Sequence, residues 1–298
     1  MQPPEVRRDL LDALPDEHIE TAYAKINLAL HVRARRADGY HAIESLFVFA
    51  EDGDWLAGVP TDDGAIDLTI DGPFGEGLGA GQDNLVMQAA RALQSYLGEQ
   101  RGAALRLTKR LPVASGIGGG SADAAATLRL LARTWDVRID AKELAALALS
   151  LGSDVPACVA SVTQLVRGRG ELLEMRDIEG LTRRPILLVN PGVAVSTGIV
   201  FAGWDRIDRG AMDATSLDAL IVGGRNDLEA RAMALAPEIG AVLAKLRSAA
   251  GVRLARMSGS GATCFALFDD PKDAARAATA LRRDRPAWWV METRIRAA

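Results

Sequence analysis

Over residues 22–32 the apolar side chains of Ala22, Ala24, Ile26, Leu28, Leu30 and Val32 alternate with Tyr23, Lys25, Asn27, Ala29 and His31. That is the period of a half-buried strand, and it puts Lys25 and Asn27 together on the other face. Read alone, a lysine at such a position is expected on a solvated face or an edge. Asp38-Gly39 reads as a turn, residues 41–50 as a β-rich run, and Asp52-Gly53-Asp54 as a second turn. A strand is expected over residues 65–70 and a glycine-rich loop over 72–81. Asp83 or Asn84 then caps a helix with the apolar face Val86, Ala89, Ala90, Leu93 and Leu97. The pattern continues with a strand at 103–108 and a helix at 121–134. Asp140 and Glu143 form a capping box for a helix that stops near Gly152, and residues 163–175 read as a hairpin turning at Gly168 or Gly170.

After Arg183-Arg184-Pro185 the pattern restarts: a strand at 186–190, one or two helices within 197–248, strands at 252–257 and 263–268, a helix at 271–283 and a strand at 287–295. The order βαββαβ is that of a ferredoxin-like split unit. It places a domain boundary near residue 180.

Composition narrows the picture. With 298 residues, 49% hydrophobic and 25% charged, the chain reads as an ordinary globular protein with room for two domains or one large one, and the order of elements above makes α+β the expected class. A net charge of −4 gives no electrostatic footprint for nucleic acid. Cys158 and Cys264 read as buried thiols of a reducing compartment, and His18, His31 and His41 lack metal-ligand spacing, so no metal site is expected from the chain. No apolar run reaches the roughly 18 residues of a membrane span. Residues 1–20 are acidic and contain proline, and read as a flexible extension. A cytoplasmic enzyme without membrane partners is the expectation, monomeric or a homodimer.

The candidate chemistry lies in a few short segments. Pro112, Val113, Ala114, Ser115, Gly116, Ile117, Gly118, Gly119, Gly120, Ser121 and Ala122 form a glycine-rich loop running from a strand into a helix. Missing side chains let backbone N–H groups approach an anion, and the positive end of the helix dipole adds to the attraction. No Lys-[Ser/Thr] follows the glycines, and Ser121 stands where a dinucleotide fingerprint has its third glycine. The plain alternative is a flexible loop with Ser121 as N-cap. Asp154, between Gly152-Ser153 and Val155-Pro156, could be a simple helix cap. The second cluster, Met257-Ser258-Gly259-Ser260-Gly261-Ala262-Thr263, could be a hairpin loop without a ligand. Only five lysines, Lys25, Lys109, Lys142, Lys245 and Lys272, stand among 35 basic residues, which makes one inside an apolar strand more noticeable.

Taken in order, Ala24-Lys25-Ile26-Asn27-Leu28, Arg36-Ala37-Asp38-Gly39-Tyr40-His41, the loop from Pro112 to Ala122, Gly152-Ser153-Asp154-Val155-Pro156 and Ser258-Gly259-Ser260-Gly261-Ala262 resemble the GHMP small-molecule kinases. The Ala-Asp-Gly-Tyr-His run brings the match closest to members acting on a diphosphocytidyl alcohol. The resemblance implies a two-domain fold, with an N-terminal α/β nucleotide-binding domain over residues 21–180 and a C-terminal ferredoxin-like domain over 181–298. It implies ATP and Mg²⁺, with Lys25 and Asp154 as the catalytic pair. ATP phosphates would lie on the loop, with Asn84 and Lys109 nearby. Asn27, Tyr40 and His41 would meet the diphosphocytidyl substrate, Tyr40 stacking on cytosine, with Thr197 and Phe201 as further contacts. Ala114-Ser115 stands where the family often carries a glycine pair. Two alternatives differ in class: a GHMP kinase for homoserine or mevalonate, against which the Tyr40-His41 pair argues, and a non-catalytic nucleotide-binding protein, which has no need of both Lys25 and Asp154.

Overall fold

The computed structural model describes residues 14–297. Residues 1–13 of the expected extension lie outside the described residues. Of the remainder, Asp16–His18 is a short 3-10 turn and the first strand already begins at Ile19. It starts early because Glu20 is anchored there, its carboxylate taking the guanidinium groups of Arg129 at 2.9 Å and Arg133 at 2.8 Å.

Among the described residues the chain divides into two compact units, one of residues 14–24, 52–113 and 119–160, the other of 25–51, 114–118 and 161–297. Strands β1 (Ile19–Arg35) and β2 (His41–Thr61) pair with each other and each contributes to both units. Two expectations fail here. β1 is buried on both faces, Lys25 being 4% and Asn27 2% exposed, because the polar side chains of its second face find partners inside the protein. β2 runs straight through Asp52-Gly53-Asp54. Gly53 serves a close approach rather than a turn: a Cβ there would lie 1.9 Å from the Ala22 carbonyl oxygen of β1.

In the first unit, the end of β2 pairs antiparallel with β4 (Gly102–Thr108), and β4 pairs parallel with β3 (Ile66–Asp71). Helix α1 (Leu85–Leu97) buries Val86, Met87, Ala89, Ala90 and Leu93, close to the face read from its spacing. It packs on α2 (Gly119–Thr134), an alanine-rich helix that also meets α4 (Val155–Ala160). Small side chains permit that close packing. Between them lies α3 (Ala141–Leu151), capped by the Asp140 carboxylate on the Lys142 N–H at 2.8 Å.

In the second unit, the start of β2 pairs with β5 (Gln164–Gly168), and β5 forms the expected hairpin with β6 (Leu172–Met175). The ferredoxin-like part is an antiparallel sheet of β7 (Pro185–Asn190), β8 (Val252–Met257), β9 (Cys264–Phe268) and β10 (Trp289–Arg294), in the order β10-β7-β9-β8. Four helices replace the one or two expected before β8: α5 (Thr197–Ala202), α6 (Leu217–Gly223), α7 (Glu229–Leu235) and α8 (Glu238–Arg247). The breaks fall at Gly203, Gly224 and Pro237, residues that stop or start helices for backbone reasons. α9 (Pro271–Asp284) completes the unit. Leu187, Val189, Ile239, Leu243 and Phe268 are fully buried in its core, each contributing about 1.5–3 kcal/mol. His31 is buried as well, its Nε2 accepting the Arg225 N–H at 3.3 Å; burial first, then the Arg225 charge, lowers its pKa. Among the described residues no helix is long and apolar enough to cross a membrane.

Candidate active site

In the second unit, the loop residues 114–118 ride directly over Lys25. The Lys25 N–H donates to the Ile117 carbonyl at 3.0 Å, and a Cβ at Gly118, where φ is +65°, would lie 3.0 Å from Lys25 Cε. Glycine is required there on both counts. The Lys25 ammonium donates to Asn27 Oδ1 at 3.0 Å and lies 4.3 Å from the centre of the Phe47 ring. Asn27 Nδ2 donates to Ser45 Oγ at 2.9 Å, and the Ser45 hydroxyl in turn donates to the Ala29 carbonyl at 2.6 Å. Both ends of the Asn27 amide are thus engaged within the protein.

The second glycine cluster is the hairpin connection between β8 and β9, and it is also the surface on which this loop rests. Ser258 Oγ donates to the Gly116 carbonyl at 2.9 Å and accepts the Asn27 N–H at 3.1 Å, while the Thr263 N–H donates to the Ser115 carbonyl at 3.0 Å. A Cβ at Gly116 (φ +79°) would lie 2.5 Å from the Ser258 carbonyl oxygen. Ala114 has a left-handed φ of +51°, a conformation glycine adopts with less strain.

At the start of β2 is an aromatic group. The half-buried His41 ring lies 5.2 Å from Phe201 and 5.8 Å from Trp204, edge-on to the latter. Burial, then the charge of Arg35, lowers the His41 pKa, so its imidazole is neutral at pH 7. Tyr40 is 57% exposed; its N–H donates to Asp38 Oδ1 at 3.1 Å, and the Arg169 guanidinium sits 4.9 Å from its ring centre. Thr197 Oγ1 is 2.9 Å from Ser260 Oγ, which joins the start of α5 to the second glycine cluster.

In the first unit, α2 begins at Gly119, so Ser121 lies in its first turn and is not the N-cap. Gly119, Gly120 and Ser121 head the helix, Val113 is exposed, and Pro112 and Ala122 are buried. Lys109 is buried beneath that start: a Cβ at Gly119 would be 3.4 Å from its Nζ. Its ammonium is held by Asp54 at 2.5 Å and Asp123 at 2.7 Å. Asp54 also accepts the N–H groups of Arg110 and Leu111 at 2.5 and 2.8 Å. Burial disfavours the Lys109 charge, but the carboxylates of Asp123 and Asp54 outweigh it and raise its pKa. Burial likewise pushes the Asp123 carboxyl up to about 7 against the opposing pull of Lys109. Asn84 is the N-cap of α1, accepting the Val86 N–H at 2.9 Å and donating to the Gly79 carbonyl at 3.0 Å. Asp154 stands at the head of α4, its carbonyl accepting the Cys158 N–H at 3.2 Å.

Comparison with known proteins gives this arrangement a context. Residues 84–161 match the GHMP kinases N terminal domain and residues 210–287 the GHMP kinases C terminal domain. A 4-diphosphocytidyl-2-C-methyl-D-erythritol kinase of Rhizorhabdus wittichii is 55% identical over 93% of this chain and 94% of that relative. The chain belongs to the GHMP kinase family. Within it, this kinase stands with the 4-diphosphocytidyl-2-C-methyl-D-erythritol kinases. The like-named protein of Sphingopyxis alaskensis is 49% identical over 93% of this chain and 98% of that one. A solved 4-(cytidine 5'-diphospho)-2C-methyl-D-erythritol kinase superposes with a TM-score of 0.79 at 33% identity, covering 94% of this chain and all of that one.

Sequence reasoning missed several residues of this GHMP kinase. Asp54 reads as a turn residue in the sequence, and Asp123 has no reading of its own within the helix expected over 121–134. Trp204 and Arg169, which flank His41 and Tyr40, carry no local pattern. A buried lysine needs carboxylates, and the burial of Lys109 is the signal that would have called for Asp54 and Asp123.

Proposed function

We propose that this chain transfers the γ-phosphoryl group of ATP to the 2-hydroxyl of 4-diphosphocytidyl-2-C-methyl-D-erythritol, giving its 2-phosphate and ADP in the non-mevalonate route to isoprenoid precursors. The observation that carries the reading is the likeness, over 93% of the chain, to kinases of that name. In this reading the N–H groups of the loop from Pro112 to Ala122 and of the α2 start hold ATP phosphates, the run of glycines presenting backbone donors without side chains and the helix start adding the positive end of its dipole. Phosphoryl transfer asks for positioning and charge stabilisation. Asp154 accepts the proton of the attacking hydroxyl, and Lys25, oriented by Asn27, steadies negative charge as it develops. Lys109 supports the head of α2 through Asp54 and Asp123, and Asn84 holds the start of α1.

Tyr40 offers a stacking face to cytosine, and the neutral His41, placed by Phe201 and Trp204, offers a hydrogen bond to the base edge. Thr197 contacts the same substrate from the start of α5. Mg²⁺ belongs to the proposal as an ion carried on ATP phosphates: among the described residues no group of three or more His, Cys, Asp and Glu could hold a metal, and magnesium commonly keeps phosphate and water ligands. When bound, it neutralises phosphate charge. The same reading divides the chain into a nucleotide domain over 21–180 and a ferredoxin-like domain over 181–298. It makes the protein a cytoplasmic monomer or homodimer without nucleic-acid partners.

The test is ADP formation by purified protein with a panel of alcohols. Turnover of the diphosphocytidyl alcohol far above that of homoserine and mevalonate is expected. Preference for either of those two would overturn the substrate assignment.

A further inference from the structure

Residues 225–229 make contacts that neither the motifs nor the family likeness called for. The Arg225 carbonyl accepts the Leu30 N–H at 2.7 Å, the Asp227 N–H donates to the Leu30 carbonyl at 2.9 Å, and Asp227 Oδ2 accepts the Val32 N–H at 2.8 Å. The stretch is thereby fixed to β1, a few residues beyond Lys25 and Asn27. From that base Asn226, 8% exposed, reaches the second glycine cluster. Its Oδ1 accepts the Leu228 N–H at 3.0 Å, and its Nδ2 donates to two carbonyls, Met257 and Gly259, both at 2.8 Å. These are the carbonyls on either side of Ser258. Glu229 secures the same segment, accepting the Met257 N–H at 3.1 Å.

Ser258 is the residue whose hydroxyl holds the Gly116 carbonyl and the Asn27 N–H. Gly259 leaves no slack on the other side, because a Cβ there would lie 2.9 Å from the Gly116 carbonyl oxygen and 3.2 Å from Asn27 Oδ1. A chain of contacts therefore runs from β1 through Asn226 to Ser258, and from Ser258 to both the loop and the neighbour of Lys25. A primary amide suits that place: it supplies two donors and an acceptor from one planar group. A carboxylate of the same shape has no donor.

We propose that Asn226 is a positioning residue for the phosphate loop. By fixing the carbonyls of Met257 and Gly259 it sets the Ser258 hydroxyl, and through it the backbone of Gly116 against which ATP is bound. The inference rests on the reading that residues 112–122 hold ATP phosphates. Removing the two donations leaves buried carbonyls unpaired, and the loop relieves that by shifting.

The experiment is steady-state kinetics with ATP and the acceptor varied in turn, together with thermal melts, for Asn226→Asp, Asn226→Ala, Gly118→Ala and Leu246→Ala. Asn226→Asp keeps size and the bond to Leu228; Asn226→Ala avoids setting a carboxylate against two carbonyls and carries the test if the first variant does not fold. Both are expected to raise the KM for ATP about tenfold, with a much smaller change in the acceptor KM passed on through Asn27. Leu246, buried in the core of the second unit, serves as the comparison: its truncation lowers Tm and leaves the ATP KM alone. If the Asn226 variants behave like Leu246→Ala, or disturb both substrates equally, the positioning role is wrong. Gly118→Ala separates the two levels. A raised ATP KM there with none in the Asn226 variants overturns this inference alone, whereas an unchanged ATP KM in Gly118→Ala overturns the loop reading and the inference with it.

Discussion

At the glycine junction of the second unit, Lys25, Asn27, Ser258 and Gly116 are joined by hydrogen bonds of 2.9 to 3.1 Å, and Lys25, Asn27 and Ser258 are nearly inaccessible to solvent. At the aromatic end, Tyr40 leaves 57% of its surface exposed and His41 is held by ring contacts alone among the interactions described for its side chain. The first region is made of backbone and buried polar groups, so each atom has one allowed place. The second is made of side chains projecting from a strand. A substitution at the junction disturbs the fold and the chemistry together, while one at the aromatic end removes a contact and leaves the fold intact.

The largest effect is expected at Gly116. Valine there meets the Ser258 carbonyl oxygen at 2.5 Å in a left-handed backbone, so urea denaturation should show a loss of about 4 kcal/mol or more. Near-normal stability would break the contrast at its stronger end. Next come the groups that the proposal assigns to the transfer: Asp154→Asn and Lys25→Met should each lower kcat by about 10²–10⁴, and, if both serve the one transfer step as proposed, the pair together by less than the product of the two. Multiplicative losses would mean that they act independently.

Tyr40→Ala should be milder and of another kind. If Tyr40 stacks on the cytosine as proposed, a surface worth about 1–3 kcal/mol is lost, and it should appear as a raised acceptor KM with Tm and ATP KM unchanged. A fall in Tm would show that the aromatic end supports the fold after all. The smallest effect concerns pH. Because burial depresses the His41 pKa below its ordinary 6.5, the neutral imidazole persists below that value. The acceptor KM should therefore stay flat from pH 8 to about 7 and rise with a midpoint below 6.5. A rise beginning near pH 7.5 would contradict the direction of the shift.

The order of strands and helices was legible because alternation and capping are local signals. β1 shows where that stops: the spacing gave its register, but the burial of Lys25 and Asn27 depends on Phe47, Ser45 and Ser258, which the spacing of one strand does not contain. Gly53 shows the same limit. A glycine between two aspartates fits a turn and a close approach equally well, and only the neighbouring Ala22 carbonyl decides between them. Of the candidate site, the glycine loops, Lys25 and the Tyr40-His41 pair stood out as patterns. Asn226 and Asp123 did not, since their roles arise from partners 31 and 14 residues away.

Calorimetric titration of a non-hydrolysable ATP analogue and of the diphosphocytidyl alcohol into wild-type protein, Gly118→Ala and Tyr40→Ala tests the division between the two regions most directly. Gly118→Ala should bind the ATP analogue about tenfold more weakly or worse, since its side chain forces a left-handed backbone and presses on Lys25, and should keep the acceptor. Tyr40→Ala should lose acceptor affinity and keep the nucleotide. If both variants weaken both ligands alike, or if the losses are exchanged, the junction and the aromatic end do not serve the two substrates separately and the account is wrong.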